Sequence, residues 1–371
     1  MKQYLDNLRN IYENGTDHAD RTGKGRRSIF GTQYRYDISD GTLPVVTTRK
    51  VFTRAIIEEL LWFIKGSSDT KPLMDSNINI WNQWLVTEKD AKAYIEKHLN
   101  EADDEHKKQM QEAILENCGQ SIGPLYGSMW RNAPAHDNIN LHWPQMEMDE
   151  FPSDKLAEWT KIYEEVKFIS GTEIADFKTF CNIQYRGTVD QLNELLLNLK
   201  KRPYSSRHVV SAWIPCFVPF EGISPQENII LGKGALAACH AFFQCLVIPP
   251  KEEGGKKRLN LMLTIRSNDA AVGKIYNIAQ YSLLLALLAH VTDMEPYEFV
   301  LSVGDDHIYL NQMESTSDIK EGVETQLKRE PLPLPKLWIN PEVKDLFAFT
   351  KDDIRIEGYE SHPAINYPVA M

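Results

Sequence analysis

The feature that most constrains this chain is a long apolar run in its second half. Residues 276–291 read YNIAQYSLLLALLAHV, which predicts a helix over Tyr276–Val291. A helix that is apolar on every side is buried in a protein core or crosses a membrane, and crossing requires about 20 apolar residues. The most apolar part, Tyr281–Val291, is shorter than that and is interrupted by His290. We therefore expect a core helix around which the rest of the chain packs.

Helical and strand patterns mix along the whole chain. Apolar residues at helical spacing predict helices over residues 2–14, 54–65 and 189–200. Runs of β-branched and aromatic residues predict strands, which span 28–36, 43–48, 209–213, 241–248, 259–266, 299–303 and 308–309. Two polar stretches, 86–121 and 133–185, have the character of inserted helical segments, and no linker or repeat divides the chain. We predict a single α/β (α+β) domain over residues 1–371.

The composition excludes several classes of function. The net charge of −11 disfavours nucleic acid or a membrane as the main partner, although a local basic site could bind a small anion. Five cysteines without a secretion-type start predict a reduced protein of the cytoplasm. Zinc-binding spacings and phosphate-cradling glycine loops are absent, so we predict no metal.

Cys239 is the strongest nucleophile candidate. A cysteine in an apolar run such as LAACHAFFQCLV is usually inert packing, and Cys245 fits that description. Cys239 differs because it starts a predicted strand beside His240, in a chain with arginines in short motifs. A nearby cation would stabilise its thiolate.

Three arginines lie in short polar motifs. Arg21 is in DRTGKG, Arg207 in YSSRH and Arg266 in IRSND. A single arginine in a turn is usually a solvated charge. Three of them could instead converge on a phosphate, whose oxygens fit the guanidinium fork.

Ten segments in order closely resemble the thymidylate synthase family, which includes phage deoxypyrimidine hydroxymethylases. They are DRTGKGRRSIFG, EELLWFIKG, NINIWNQW, IGPLYGSMWR, SSRHVVSAW, CHAFFQ, RSND, GDDHIYLN, KREPLPLPKL and IEGYESHPAINYPVAM. The resemblance covers nearly all of the chain outside the two insertions. It implies a large twisted mixed β-sheet flanked by helices, and an obligate homodimer in which two sheets pack back to back.

The resemblance also implies the chemistry. Cys239 corresponds to the nucleophile that adds to C6 of dUMP and makes C5 nucleophilic, with 5,10-methylenetetrahydrofolate as co-substrate. Glu59 corresponds to the glutamate that organises proton transfer through water. Its neighbour Glu58 is expected to face solvent. Tyr126, His240 and Asp269 complete the predicted catalytic set.

Substrate contacts are implied in the same way. Arg21, Arg266 and the partner subunit's Arg207 correspond to the phosphate-binding arginines, with Ser267 and Gln244 nearby. Asn277 corresponds to the amide that accepts from N3–H and donates to O4, which suits uracil rather than cytosine. His307 and Tyr309 correspond to the pair that binds the sugar 3′-hydroxyl.

The resemblance places one set of residues around the folate. They are Trp81, Trp84, Tyr126, Leu236, Asp269, Val272, Gly273, Tyr276 and Ala370, the last within the terminal segment 369–371. Without the resemblance, the tryptophans are more simply read as core packing.

Departures from the synthases bear on the product. Ala238 replaces a proline before the nucleophile, Ile265 replaces a glutamine, and His208 replaces an arginine that would follow Arg207, leaving its contact with phosphate open. The stretch 272–277, VGKIYN, replaces Leu-Gly-x-Pro-Phe-Asn. A tyrosine hydroxyl and a smaller valine beside the folate could admit a water.

Three functions therefore stay open. The departures favour a hydroxymethylase making 5-hydroxymethyl-dUMP, as in phage DNA modification within a host cytoplasm. The alternatives are a thymidylate synthase, in which folate hydride gives dTMP and dihydrofolate, and an inactive homologue that only binds.

Overall fold

The computed structural model describes residues 1–139, 183–315 and 321–369. Its centre is a mixed six-stranded sheet in the order β1–β2–β8–β7–β6–β5. The strands of this sheet are β1 Thr16–His18, β2 Arg26–Asp37, β5 Val209–Ser211, β6 His240–Ile248, β7 Arg258–Asp269 and β8 Glu295–Tyr309. Two antiparallel ribbons lie outside it, β3 Ala133–Ile139 with β4 Ile183–Val189 and β9 Lys336–Ile339 with β10 Ile354–Glu357.

Helices flank the sheet, which confirms the predicted architecture. They are α1 Lys2–Asn14, α2 Thr53–Ile64, α3 Lys71–Asp75, α4 Glu88–His98, α5 Asp104–Cys118, α6 Gly127–Arg131, α7 Gln191–Lys201, α8 Pro225–Ile230, α9 Gly273–Val291 and α10 Val323–Gln326. No described helix is long and apolar enough to cross a membrane.

The predicted core helix is α9, which begins three residues before the predicted start. It joins β7 to β8, and these two strands are parallel. Parallel neighbours require a crossover connection, and a helix laid on the sheet provides it. Nearly every side chain of α9 is buried, including Lys274, Asn277 and Gln280. The helix therefore brings polar groups into the core near the end of β7.

Four predicted elements differ clearly from those observed. Residues 43–48 are buried but form no strand, because their partners belong to the proline-rich segment 331–335, and prolines lack the N–H groups that a ladder needs. The Leu43 N–H donates to Pro335 O at 2.9 Å, and Thr47 Oγ1 accepts from Leu332 N–H at 2.9 Å. The two strands predicted over 299–303 and 308–309 are one strand, β8. The helix predicted from residue 189 begins at Gln191, after an Asp190 cap.

The described parts of the insertions have different structures. Residues 86–121 form α4 and α5, mostly exposed helices as predicted, and Lys97 of α4 pairs with Glu227 of α8 at 2.8 Å. The ends of 133–185 are strands that pair with each other, which corrects the expected helical segment there. The rest of that insertion, residues 140–182, lies outside the described residues.

Candidate active site

The predicted site residues converge at one end of β6, β7 and β8. Cys239 immediately precedes β6, and its carbonyl accepts from the Arg266 N–H at 3.0 Å. Register then pairs Ser267 with Asp305 and Asp269 with His307 across β7 and β8. The sheet itself therefore brings together residues that are 68 positions apart in sequence, from Cys239 to His307.

Cys239 lies beside a fixed cation. The Arg266 guanidinium donates to the carbonyls of Ala237 at 2.7 Å and Ala238 at 3.1 Å, and its Nη2 lies 3.8 Å from Cys239 Sγ. Burial raises the pKa of the Cys239 thiol, and this outweighs the opposing effects of Arg266 and Tyr126. Within this single chain the expected net stabilisation of the thiolate is therefore not observed, because desolvation costs more than one exposed guanidinium returns.

Tyr126 forms the other side of the cysteine. Its hydroxyl oxygen accepts from the Cys239 N–H at 3.1 Å, and its ring lies 4.8 Å from the His240 ring. The residue has a φ of 43°, a left-handed conformation that tyrosine rarely adopts. Gly127 follows it, and a Cβ there would lie 2.4 Å from Phe63 O. Close packing on α2 therefore sets the position of this turn.

A hydrogen-bonded chain orients the predicted base-reading amide. His240 Nδ1 lies 3.2 Å from the Tyr281 hydroxyl, and His240 Nε2 lies 2.8 Å from Asn277 Oδ1. Burial lowers the pKa of His240 to about 4, so the ring is neutral near pH 7. If Tyr281 donates to Nδ1, Nε2 carries the proton and must face an amide oxygen. Asn277 Nδ2 donates to Asn268 Oδ1 at 3.3 Å, which fits the same orientation.

Glu59 and Glu58 have different surroundings. Glu59 Oε1 accepts from Trp81 Nε1–H at 2.9 Å, and Oε2 accepts from Gln280 Nε2–H at 3.0 Å. Burial raises the pKa of Glu59 to about 7, while both hydrogen bonds oppose the shift. Glu58 instead pairs with Arg54 at 3.0 Å. Glu59 is therefore the carboxyl suited to hold and release a proton near neutrality.

Asp269 closes the end of β7. Its Oδ1 accepts from the N–H groups of Ala271 and Val272 at 2.9 and 3.0 Å, and its Oδ2 accepts from Gln312 Nε2–H at 2.8 Å. Burial raises the pKa of Asp269, and these donors oppose the shift. The carboxylate thereby holds the turn that leads into α9.

The predicted sugar-binding residues lie together at the end of β8. The His307 and Tyr309 rings are 5.0 Å apart, edge to face. Asp305 Oδ2 accepts from Ser267 Oγ at 3.0 Å and pairs with Arg26 at 2.9 Å. In this structure the Ser267 hydroxyl donates to Asp305. Its predicted contact with phosphate stays a prediction.

The other phosphate candidates lie in exposed turns. Arg21 is exposed in the turn between β1 and β2, and Arg207 is exposed just before β5. Gln244 of β6 donates to Ser206 O at 3.1 Å and so holds the turn that carries Arg207. His208 is only 1 % exposed, with Nε2 3.0 Å from Pro203 O. The sequence left the contact of His208 with phosphate open, and within this chain its side chain is buried.

Two of the predicted folate-site residues contact these carboxyls, Trp81 at Glu59 and Val272 at Asp269. The Trp81 ring lies 5.2 Å from Trp84 and 6.0 Å from Tyr126. Further predicted wall residues are partly buried against the same core, namely Leu236, Val272 and Tyr276. Gly273 starts α9, where a Cβ would lie 3.4 Å from Asn268 Oδ1. Ala370 lies outside the described residues.

Sequence reasoning missed four buried polar residues of this site: Asn268, Gln280, Tyr281 and Gln312. The sequence contained a signal for two of them, Gln280 and Asn268. Gln280 follows Asn277 by three residues on one helix, and positions three apart share a face. Asn268 stands within the RSND segment itself. Gln312 lies in a 3₁₀ turn after β8, and its contacts depend on the tertiary fold.

The fold and site define a class: an α/β protein with a thiol beside an arginine and a buried carboxyl whose pKa is about 7. A profile described as thymidylate synthase matches residues 2–371. A thymidylate synthase of Mycoplasma mobile is 38% identical over 372 residues, covering 100% of both chains.

The chain belongs to the thymidylate synthase family and is a one-carbon transferase of the methyltransferase type. Members of this family bind dUMP and use methylenetetrahydrofolate as co-substrate.

Proposed function

We propose that this enzyme converts dUMP to dTMP, with 5,10-methylenetetrahydrofolate giving both the carbon and the hydride. The observation that carries the proposal is the grouping of Cys239, Arg266 and Tyr126 beside the His240–Asn277 pair. A full-length relationship to a thymidylate synthase supports the product.

The residues have distinct roles in this proposal. Cys239 Sγ attacks C6 of the uracil ring, and electrons move toward O4, leaving C5 nucleophilic. Asn277 holds the edge of the base, with its oxygen toward N3–H and its nitrogen toward O4. Arg266 binds the phosphate and favours the thiolate as it forms. Because the resting thiol is protonated near neutrality, binding and proton removal are coupled.

Glu59 supplies the proton-transfer function. With its pKa at about 7, it exists in both protonation states at working pH. Trp81 and Gln280 each donate to one carboxyl oxygen and so fix the plane of the group. Its proposed role is to move protons through water toward O4 and C5.

The folate site is proposed around Asp269 and the two tryptophans. A buried carboxylate is costly unless it has donors, and Asp269 has three hydrogen bonds that hold it ready for a polar ligand. When bound, the folate supplies the one-carbon unit and the reducing hydride. Trp81 and Trp84, whose ring centroids are 5.2 Å apart, provide apolar surface for a fused ring.

A homodimer completes the proposal. Exposed apolar residues lie on and beside β5 and β6, with Val209 43%, Trp213 38% and Leu246 48% exposed. Arg207 stands exposed beside this face. A second copy covering the face would bring Arg207 toward the partner's phosphate site.

The hydroxymethylase remains the second candidate because of Tyr276. This tyrosine is half-buried in the first turn of α9, one residue before Asn277. Its hydroxyl could orient a water that captures the one-carbon unit as 5-hydroxymethyl-dUMP. The 38% identical relative favours the synthase instead.

A product assay separates the two candidates and tests the shared step. With dUMP and methylenetetrahydrofolate, we expect tritium release from C5, a nucleotide heavier by one methylene, and dihydrofolate absorbance in equal amount. A product heavier by formaldehyde, without dihydrofolate, would identify the hydroxymethylase.

Two cysteine variants serve as controls. Cys239→Ser should abolish tritium release, while Cys216→Ser, at an exposed free cysteine, should leave it unchanged. Absence of tritium release from the unmodified enzyme would leave only a binding homologue.

A further inference from the structure

Gln312 joins three parts of the molecule through one buried side chain. It is 0% exposed and lies in the 3₁₀ turn after β8. Its Nε2 donates to Asp269 Oδ2 at 2.8 Å and to Pro368 O at 3.0 Å. Its Oε1 accepts from the Tyr309 N–H at 3.1 Å. We call these three contacts the Gln312 bridge.

The chemistry of the partners fixes the orientation of this amide. A backbone N–H can only donate, so the atom facing Tyr309 must be oxygen. A carboxylate and a carbonyl can only accept, so the atom facing Asp269 and Pro368 must be nitrogen. Both amide protons are used, and no other neutral side chain of this length offers two donors and one acceptor in one plane.

The C-terminal segment has a second, separate anchor. The Tyr367 hydroxyl donates to Gln326 Oε1 at 2.8 Å, and Gln326 Nε2 donates to Thr48 Oγ1 at 3.0 Å. Gln326 is as buried as Gln312 but its hydrogen bonds do not include Asp269. Two buried glutamines therefore hold the C-terminal segment by hydrogen bonds. Of the two, Gln312 also bonds to Asp269.

We propose that Gln312 is a positioning residue that couples docking of the C-terminal segment to the orientation of Asp269, and so to folate binding. The inference rests on the proposed function, because it takes Asp269 as the carboxylate that meets the folate. When Pro368 is docked, Pro368 O and Asp269 Oδ2 each accept one of the two Gln312 amide protons. The Asp269 carboxylate then has a fixed orientation. When the tail leaves, the amide can rotate and Asp269 loses its fixed donor.

The test compares Gln312→Leu with Gln312→Glu. We expect Gln312→Leu to raise the KM for methylenetetrahydrofolate about tenfold, since a buried acceptor loses its donor, and the KM for dUMP less than about twofold. Gln312→Glu should be worse at pH 8 and recover toward pH 6, because two adjacent carboxyls can then share a proton. A purely structural role would not produce this pH response.

Trimming of residues 369–371 by carboxypeptidase provides a readout without turnover. Gln312→Leu should be trimmed about fivefold faster than the unmodified protein, as expected for losing one hydrogen bond. The matched controls are Gln326→Leu, which should also be trimmed faster, and Gln326→Glu, whose folate KM should not recover toward pH 6 because Gln326 does not contact Asp269.

Two results would overturn the coupling. One is trimming of Gln312→Leu at the unmodified rate; the other is an equal rise in both KM values with no pH response in Gln312→Glu. If the unmodified enzyme releases no tritium from dUMP, the proposed function is wrong, and trimming still decides whether Gln312 holds the tail.

Discussion

At the scale of single residues, the site depends on donors that face buried carboxyls. Glu59 has two, the Trp81 indole and the Gln280 amide, and neither group bonded there can accept a proton from it. Burial favours the protonated acid, whereas the two donors favour the carboxylate. The pKa of about 7 is the balance of these effects, so removing one donor should move it in a known direction.

The first prediction concerns the pH profile. The unmodified enzyme should show an ionisation near pH 7 in kcat, and Glu59→Gln should remove it. Gln280→Leu should move the ionisation upward, because the lost donor had stabilised the carboxylate. Steady-state kinetics from pH 5.5 to 9 measure both shifts.

Glu58→Gln is the matched control, since Glu58 pairs with Arg54 and its removal should leave the profile unchanged. A profile for Gln280→Leu that coincides with the unmodified one would show that Gln280 has no influence on Glu59. A downward shift would reverse the sign argued here.

At the scale of elements, one buried ion pair fixes α9 to β8. Lys274 in the first turn of α9 pairs with Asp306, and both side chains are at most 1% exposed. Asp306 also accepts from Thr32 at 2.7 Å and Asn7 at 3.1 Å. The polar cluster therefore ties α1, β2, β8 and α9 together one residue away from the Gly273 turn. Burial makes such a pair costly, but breaking it is costlier.

The second prediction follows from that asymmetry. Lys274→Met leaves Asp306 charged and buried, and should lower the free energy of unfolding by about 3–5 kcal/mol. Adding Asp306→Asn should restore a large part of the loss, because the uncompensated charge is gone. Urea denaturation of the single and double variants measures the difference.

Lys256→Met is a control at an exposed ion pair with Asp293, and its unfolding midpoint should not change. A double variant less stable than Lys274→Met would mean that Asp306 contributes mainly through Thr32 and Asn7.

The limits of sequence reasoning follow from the same elements. The core helix and most strands could be predicted, because apolar periodicity reports burial directly. For residues 43–48 the predicted burial was correct but the predicted strand was wrong, because their partner is an irregular proline-rich segment. The burial of His208 could not be predicted, because it stands beside the exposed Arg207 in the same short polar motif. The contacts of Gln312 could not be predicted, since one of them is with Pro368, which is 56 residues away in sequence.

At the scale of the whole molecule, the site within one chain has little positive charge beside Cys239. Arg266 alone approaches Cys239 among the arginines singled out from sequence, and the pKa of the thiol stays raised. Arg207 stands exposed beside an apolar face. If a second copy covers that face, its Arg207 would add the missing positive charge. The proposed dimer therefore serves the chemistry as well as burying surface.

The last prediction tests this sharing by mixing two inactive proteins. Cys239→Ser lacks the nucleophile, and Arg207→Glu places a negative charge where phosphate should bind. In a mixed dimer, one site combines an intact Cys239 with an intact Arg207 from the other copy, whereas the second site carries both changes. Random exchange of subunits should therefore restore roughly a quarter of the unmodified activity, because half of the dimers are mixed and each has one working site. Tritium release after reversible denaturation of the mixture measures the recovery. If Arg207 acted within its own chain, every site would keep one defect and the mixture would stay as inactive as its two components.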